Sequence, residues 1–457
     1  MKKMSSRYIA IFSMGGGFRL ISEKLLRCAF GMVVGFSLFA FSANAETKVY
    51  VVKDNPNAAE PYNTWETAAA TVKTATIFAT NLVGTAQAES VEVLVGKGEY
   101  NNDNNIYLCA GVTLRGATGN RDDVIIGQST YTSKTTKRIV VAKGSGAIVA
   151  DLTITGGYVY AHAGDGKYDY GGGAHLSSGA TITNCHITAC TGHYGGAGAG
   201  LALVSAFAYD CLVDKCTTKP WKQETPICTK GYAVHVTGAS VMDRCQIVDN
   251  KATGTKFSTN QYGGALCVFN NTSANYKDSC IIRNTLIARN SVTYTSNDNG
   301  YMGIGLSLKG GLVENCTIVS NMANVDGKSA GVVVYKDDNG TVRNCHIAEN
   351  YCGSRLNNYG THTGAVSHYR RYVSSCTSPA HDSLGDGCVV DENGTWCFDR
   401  KGRIKLLKGS PCIDAASQQS WMVGATDLYG RDRKLYGKAD IGAVEFVKPL
   451  GFNVIVR

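Results

Sequence analysis

Tyrosines and histidines carry the first suggestion of chemistry in this chain of 457 residues. Tyr170, Tyr194, Tyr232, Tyr262 and Tyr301, and further on Tyr359, each adjoin a glycine in a series of short Gly-rich segments, and His175 and His235 follow within two of them. Aromatic rings present flat apolar faces on which the C–H faces of sugars stack, and the phenol adds a hydrogen-bond donor. Imidazole titrates near neutrality and can act as acid or base. A row of such groups points to glycan binding; a self-packing tyrosine ladder that shields a corner of the fold is the other reading. Paired carboxylates are harder to find. Asp122 with Asp123 and Asp337 with Asp338 are adjacent in sequence, and neighbours on a strand point to opposite faces.

Metal chemistry has one candidate. Of 17 cysteines, no two show the short Cys, two residues, Cys spacing of a zinc site, so no metal site is assigned. Asp414, Asp427, Asp440 and Glu445 near the carboxyl end would hold calcium if they converged, and would otherwise cap turns. No cofactor other than calcium is indicated, and no catalytic residue is identified.

The elements that position these residues repeat. Segments 182–190, 208–216, 241–250, 281–290, 312–321 and 341–350 are versions of one pattern. Measured at Cys185, Cys211, Cys245, Thr285, Cys316 and Cys345, the pattern recurs after 26, 34, 40, 31 and 29 residues, which is a repeat with variable loops. Each unit reads as a Gly-rich lead-in with a first strand, a second strand ending at Asn or Asp, and a third strand with Cys, one residue, then Ile or Val. Period two places Cys185, Cys211, Cys245, Cys316 and Cys345 on the side of Ile187, Val213, Ile247, Ile318 and Ile347, so they should stack inward as small apolar groups. Cys376, Cys388 and Cys397, in a less regular region, are better disulfide candidates. Asn184, Asn315 and Asn344, with Asn284 and Asp210, recur at the turn between second and third strands, where Asn tolerates a left-handed backbone and can bond along a ladder. Alternation on the first strand predicts an outward row of His175, Ala202, His235, Cys267, Ser307, Val333 and Ser367, with the two histidines two coils and about 10 Å apart. His186 and His346 should face outward on the third strand as solvated side chains.

Residues 1–45 read as an export signal: a basic segment through Arg27, an apolar run over 28–41, and small residues at Ala43 and Ala45. The run is shorter than the roughly 20 residues of a membrane-spanning helix, so no span is expected after signal removal. Lys2, Lys3, Arg7, Arg19, Lys24 and Arg27 against Glu23 give this segment a surplus of +5, which leaves +4 of the formal +9 for the rest. That balance gives no warrant for nucleic acid as partner. Residues 46–90 should hold a strand and a helix over 64–80, N-capped by Thr64, that covers the open end of the strand stack. Residues 91–375 form the repeat region, 376–446 an irregular C-terminal cap, and 447–457 a tail.

With the tail segments 409–415 and 439–446, these repeats resemble bacterial right-handed parallel β-helix proteins of the pectin-lyase-like superfamily, more narrowly the choice-of-anchor Q domain and polymorphic outer membrane protein type. The resemblance implies an all-β solenoid of about ten coils in a secreted or surface-exposed protein, in the outer membrane, outside the cell or in the periplasm. It implies a polysaccharide or cell-surface glycan as partner and an adhesin-like role. The alternative it carries is a polysaccharide lyase or glycoside hydrolase acting on an extended polysaccharide along the first strand. The base and carboxylates such lyases need are missing from the outward row, and Arg403, Ile404 and Lys405 reproduce a hydrolase tripeptide without its companion motifs.

Overall fold

A computed structural model describes residues 47–448 except 102, 128–135, 161–168, 194–195, 220–229, 255–262, 271–279, 295–301, 326–329, 336–339, 362–365 and 380–382. Tyr194, Tyr262, Tyr301, the export segment and most of the tail lie outside the described residues. The repeat coils are built of strands mostly three or four residues long, and each strand pairs in parallel with its equivalents one coil before and after. Ala174–Ser177, Thr181–Thr183, His186–Thr188 and Thr191–His193 make up one coil. Among the described residues their counterparts form four stacked sheets, taken here as first to fourth in that order, of 9, 11, 11 and 8 strands, the last strand of the fourth being the antiparallel arm Arg355–Leu356. The chain is a right-handed parallel β-helix, the architecture that the resemblance implied. The fourth strand is an addition to the three expected, because the polar residues after the third strand also pair with the next coil.

Strands this short bury nothing alone, so the core is made by register. Ile154, Ile187, Val213, Ile247, Ile287, Ile318 and Ile347 are stacked partners on the third sheet, all fully buried. Cys185, Cys211, Cys245, Cys316 and Cys345 are buried just before them, and each thiol donates to the carbonyl two residues earlier, for example Cys185 Sγ to Thr183 O at 3.2 Å. Cys376, Cys388 and Cys397 are free thiols and not the disulfide partners expected of them. The turn residues Asn184, Asp210, Asn284, Asn315 and Asn344 have φ of 46° to 55°, the left-handed corner that lets two strands meet without a loop.

Those turn asparagines form less of a ladder than expected. Asn344 Nδ2 reaches Asn315 Oδ1 at 3.3 Å, but Asn184 bonds to Asp151, Asn284 to Asp243, and Asn315 to the Asp440 carbonyl of the cap. A continuous ladder sits one corner later, between third and fourth sheets. The Nδ2 groups of Asn250, Asn290, Asn321 and Asn350 each donate to the Oδ1 of the next member, ending on Asn358, at 2.9–3.0 Å, and all are buried. Cys190 and Cys216 hold the same place in earlier coils, where the Cys216 amide donates to Asn250 Oδ1 at 2.9 Å. Glycines in the first-strand lead-ins make room for this ladder: a Cβ on Gly173 would lie 2.8 Å from Cys190 Sγ, and one on Gly305 2.8 Å from Asn321 Nδ2.

The two ends differ from the expected boundaries. The helix spans Val72–Gly84, with Thr71 and not Thr64 as N-cap. Residues 62–69 are held instead against the first strand, Tyr50 N donating to Tyr62 O at 2.8 Å and Val52 N to Ala69 O at 3.0 Å, while Asp103 accepts from the helical amide of Val72 at 2.9 Å. The segment 364–368, expected as a further first strand, gives way to a 3-10 helix at Val366–Arg371; Tyr359–Thr361 takes its place beside Val332–Val334, because the hairpin at 351–356 returns the chain early. At the carboxyl end, Cys412, Met422, Ile441 and Ala443 pack with Trp396 on the outward side chains of the third sheet, including Val248, Leu286, Ala288 and Val319. His346, expected in solvent, is therefore 1% exposed beneath this cap.

Candidate functional site on the first sheet

Backbone register lines up Tyr107, Val141, His175, Ala202, His235, Cys267, Ser307 and Val333 as one outward row across the first sheet. Exposure falls along the row. Tyr107 is 60% exposed, Val141 and His175 are half-buried, and Ala202 onward is buried. A ligand lying on this row therefore meets its amino-terminal coils. Tyr107 was not singled out from the sequence because Ile106–Leu108 precedes the regular repeats; its only signal is an aromatic between two apolar residues in a three-residue strand.

The two histidines are two coils apart, as alternation predicts, but they are bridged. Small Ala202 stands between them in register, and the Tyr170 ring centroid lies 5.9 Å from that of His175 and 5.4 Å from that of His235, nearly parallel to the latter at 23°. Arg138 Nε donates to Tyr170 O at 2.7 Å, and its other arm pairs with Asp169 at 3.0 Å. Burial, and then the Arg138 charge, push the His175 imidazole down to about 4. Burial, then Lys230 and His175, push His235 to about 3, and its Nδ1 has no hydrogen-bond partner. Both are thus neutral at physiological pH. Next along, Lys230 and Lys309 place Nζ 4.3 and 4.9 Å from the Phe269 ring centroid.

Tyr232, expected beside the groove, is instead wholly buried, with its hydroxyl donating to Ile304 O at 2.9 Å inside the coil. The strand starts after it, so alternation places its ring inward. Tyr359 is half-buried, its hydroxyl on the Pro379 carbonyl at 2.8 Å. The tail carboxylates do not form an open cluster. Asp427, Asp440 and Glu445 accept backbone amides, and with them lies the fully buried Arg433 guanidinium, 3.1 Å from Glu445. A second, polar cleft of about 330 Å³ opens at the corner between second and third sheets, lined by Asn184, Asp210, Arg121, Arg244 and Gln246. Its Arg244 is already paired with Asp210 at 2.8 Å and 2.9 Å.

No family model and no curated protein matches the chain. Among solved structures it is similar to pectate lyase Pel9A, with 13% identity over 88% of this chain and 97% of that one, at a TM-score of 0.42. It is also similar to the A-module of the Azotobacter vinelandii mannuronan C-5 epimerase AlgE4, with 14% identity over 75% of this chain and 94% of that one, at a TM-score of 0.32. A pectin methylesterase in complex with a hexasaccharide gives 10% identity, 75% and 93% coverage, and a TM-score of 0.31. Likeness of this degree carries no residue role across, so function has to be argued from the side chains on the face itself.

Proposed function

We propose that the chain is an exported β-helix protein that binds an acidic polysaccharide along the amino-terminal part of its first sheet. One observation carries this reading: the exposed Tyr107 shares an outward row with His175, which is flanked by Tyr170 and Arg138, with exposed Lys143 on the adjoining row. Tyr107 and His175 stand two coils apart, about 10 Å, with Lys143 on the coil between, so an extended acidic chain crossing the strands would meet a ring, a cation and a ring in turn. The test is retention of the chain from residue 46 onward on immobilised uronic-acid and neutral polysaccharides. Tyr107→Ala should weaken retention on the acidic polymer by roughly ten-fold, about the worth of one stacking contact, with unchanged melting temperature. Equal retention of the variant, or none by the parent on any polymer, rejects the proposal.

A second reading, a lyase acting on the same polymer, is favoured by the neutral His175 imidazole beside the Tyr170 ring, with Arg138 alongside. In such an elimination the neutral imidazole would take the proton next to a uronate carboxyl group, the glycosidic C–O bond on the adjoining carbon would break, and the departing oxygen would take a proton from water, while a guanidinium offsets the charge that develops. Unsaturated products that disappear in His175→Ala would replace the binding-only reading with this one.

A further inference from the structure

His346, Cys376 and Cys412 belong to three separate pieces of chain, yet their ligand atoms lie within 4.8 Å of one another in a buried space. His346 and Cys376 are register partners near the end of the third sheet, where only Val389–Val390 follows, and Cys412 comes from the cap that covers them. The imidazole Nε2 of His346 has no hydrogen-bond partner although the residue is 1% exposed. Besides the two thiols, the edge-on ring of Trp396 lies at 6.1 Å and the Asp391 carboxylate 3.9 Å away. A buried polar atom without a partner costs about 1–3 kcal/mol, so its place beside two thiols asks for an explanation.

We propose that His346, Cys376 and Cys412 form a site for one thiophilic divalent cation of the zinc class, which ties the carboxyl-terminal cap to the last coils. Two thiolates and a neutral imidazole are the donor set such ions prefer, and calcium or magnesium would not select it. A tetrahedral ion with ligands at about 2.0–2.3 Å separates its donors by roughly 3.5–3.8 Å, so closing the site takes a movement of about an ångström. Binding releases the two thiol protons to solvent. Asp391, which accepts from Thr395 N and Oγ1 at 2.9 Å each, lies 3.9 Å from His346 Nε2 and outside the group of three, so its part would be to hold a water in the fourth position. The spacing in sequence, 30 and then 36 residues, resembles no zinc motif, because the site is assembled by stacking and by the return of the cap.

The test uses the whole chain from residue 46 onward, stripped with chelator under reducing conditions and titrated with Co2+ and then Zn2+. One equivalent of Co2+ should give thiolate-to-metal charge-transfer bands and tetrahedral visible bands, which Zn2+ abolishes. Cys412→Ser should lose these bands, Cys388→Ser should keep them, and Asp391→Asn should weaken affinity roughly 10–100-fold. Intact mass under native conditions decides even where a variant fails to fold. A gain of one zinc less two protons supports the site. A loss of two hydrogens, reporting a disulfide between Cys376 and Cys412, or an unchanged mass without Co2+ bands, overturns it.

Discussion

A buried imidazole makes folding depend on pH in a direction that can be worked out. His235 has its folded value pushed from 6.5 to about 3 by burial, so between those limits the unfolded chain holds more protons than the folded one. Its contribution is whole above about 6.5 and is lost as pH falls, reaching about 2 kcal/mol at pH 5. His235→Phe should therefore lose less stability between pH 7 and pH 5 than the parent in denaturant titrations; equal losses would refute the assignment. His175, pushed to about 4, acts in the same sense and stays in both chains. The thiols of the inward ladder give a second residue-level expectation. Burial holds the Cys185, Cys245 and Cys316 thiols well above their ordinary range, so they should resist alkylation in the native chain. In denaturant without reductant at least the five ladder thiols should titrate, and fewer would mean disulfides in their place. Tyr232 shows the limit of reading single residues: its neighbours in sequence were those of a surface tyrosine, but strand phase turned it inward.

At the scale of elements, the asparagine ladder between third and fourth sheets ties the coils together. Asn290 donates through Nδ2 to Asn321 Oδ1 and Ile247 O, and its Oδ1 accepts from Asn250 N and Nδ2. Asn290→Ala leaves several of those buried groups unpaired at once. Expected destabilisation is roughly 3–5 kcal/mol, well above an ordinary surface change, measured by chemical denaturation. A cost below about 1 kcal/mol would show that water replaces the ladder. These residues were present in the sequence as the last letters of the repeat, five places after the Cys position. What the repeat did not reveal was which corner carries the continuous ladder, since both are short polar turns between strands: Asn284, Asn315 and Asn344 are buried as well, but their amides turn to Asp243 and to the cap.

Across the whole molecule, a stack of coils has two open ends and an outer face, and each is dealt with differently. The helix Val72–Gly84 packs on the first strands. The cap covers the apolar outer face of the third sheet over several coils, with Gly442 N on Asn344 O at 2.8 Å and Ala443 N on Thr317 Oγ1 at 2.9 Å. Truncation before Cys376 would expose Val248, Leu286, Ala288 and Val319 together with the last strand edge. The truncated chain should self-associate in sedimentation experiments while the full chain does not; a monomeric, cooperatively melting truncation would show the cap to be dispensable.

The sequence by itself determined the coil. Period-two alternation, a recurring Cys position and left-handed turn residues are local properties, and stacking like on like converts them directly into parallel sheets and an inward ladder. Only the tertiary structure decided which outward positions meet solvent. Tyr107 does, His235 does not, and His346 lies under a cap whose own residues are 30 and more positions away. Alternation fixes the side of a strand on which a side chain stands. What covers that side depends on segments distant in sequence, whose return no local pattern records.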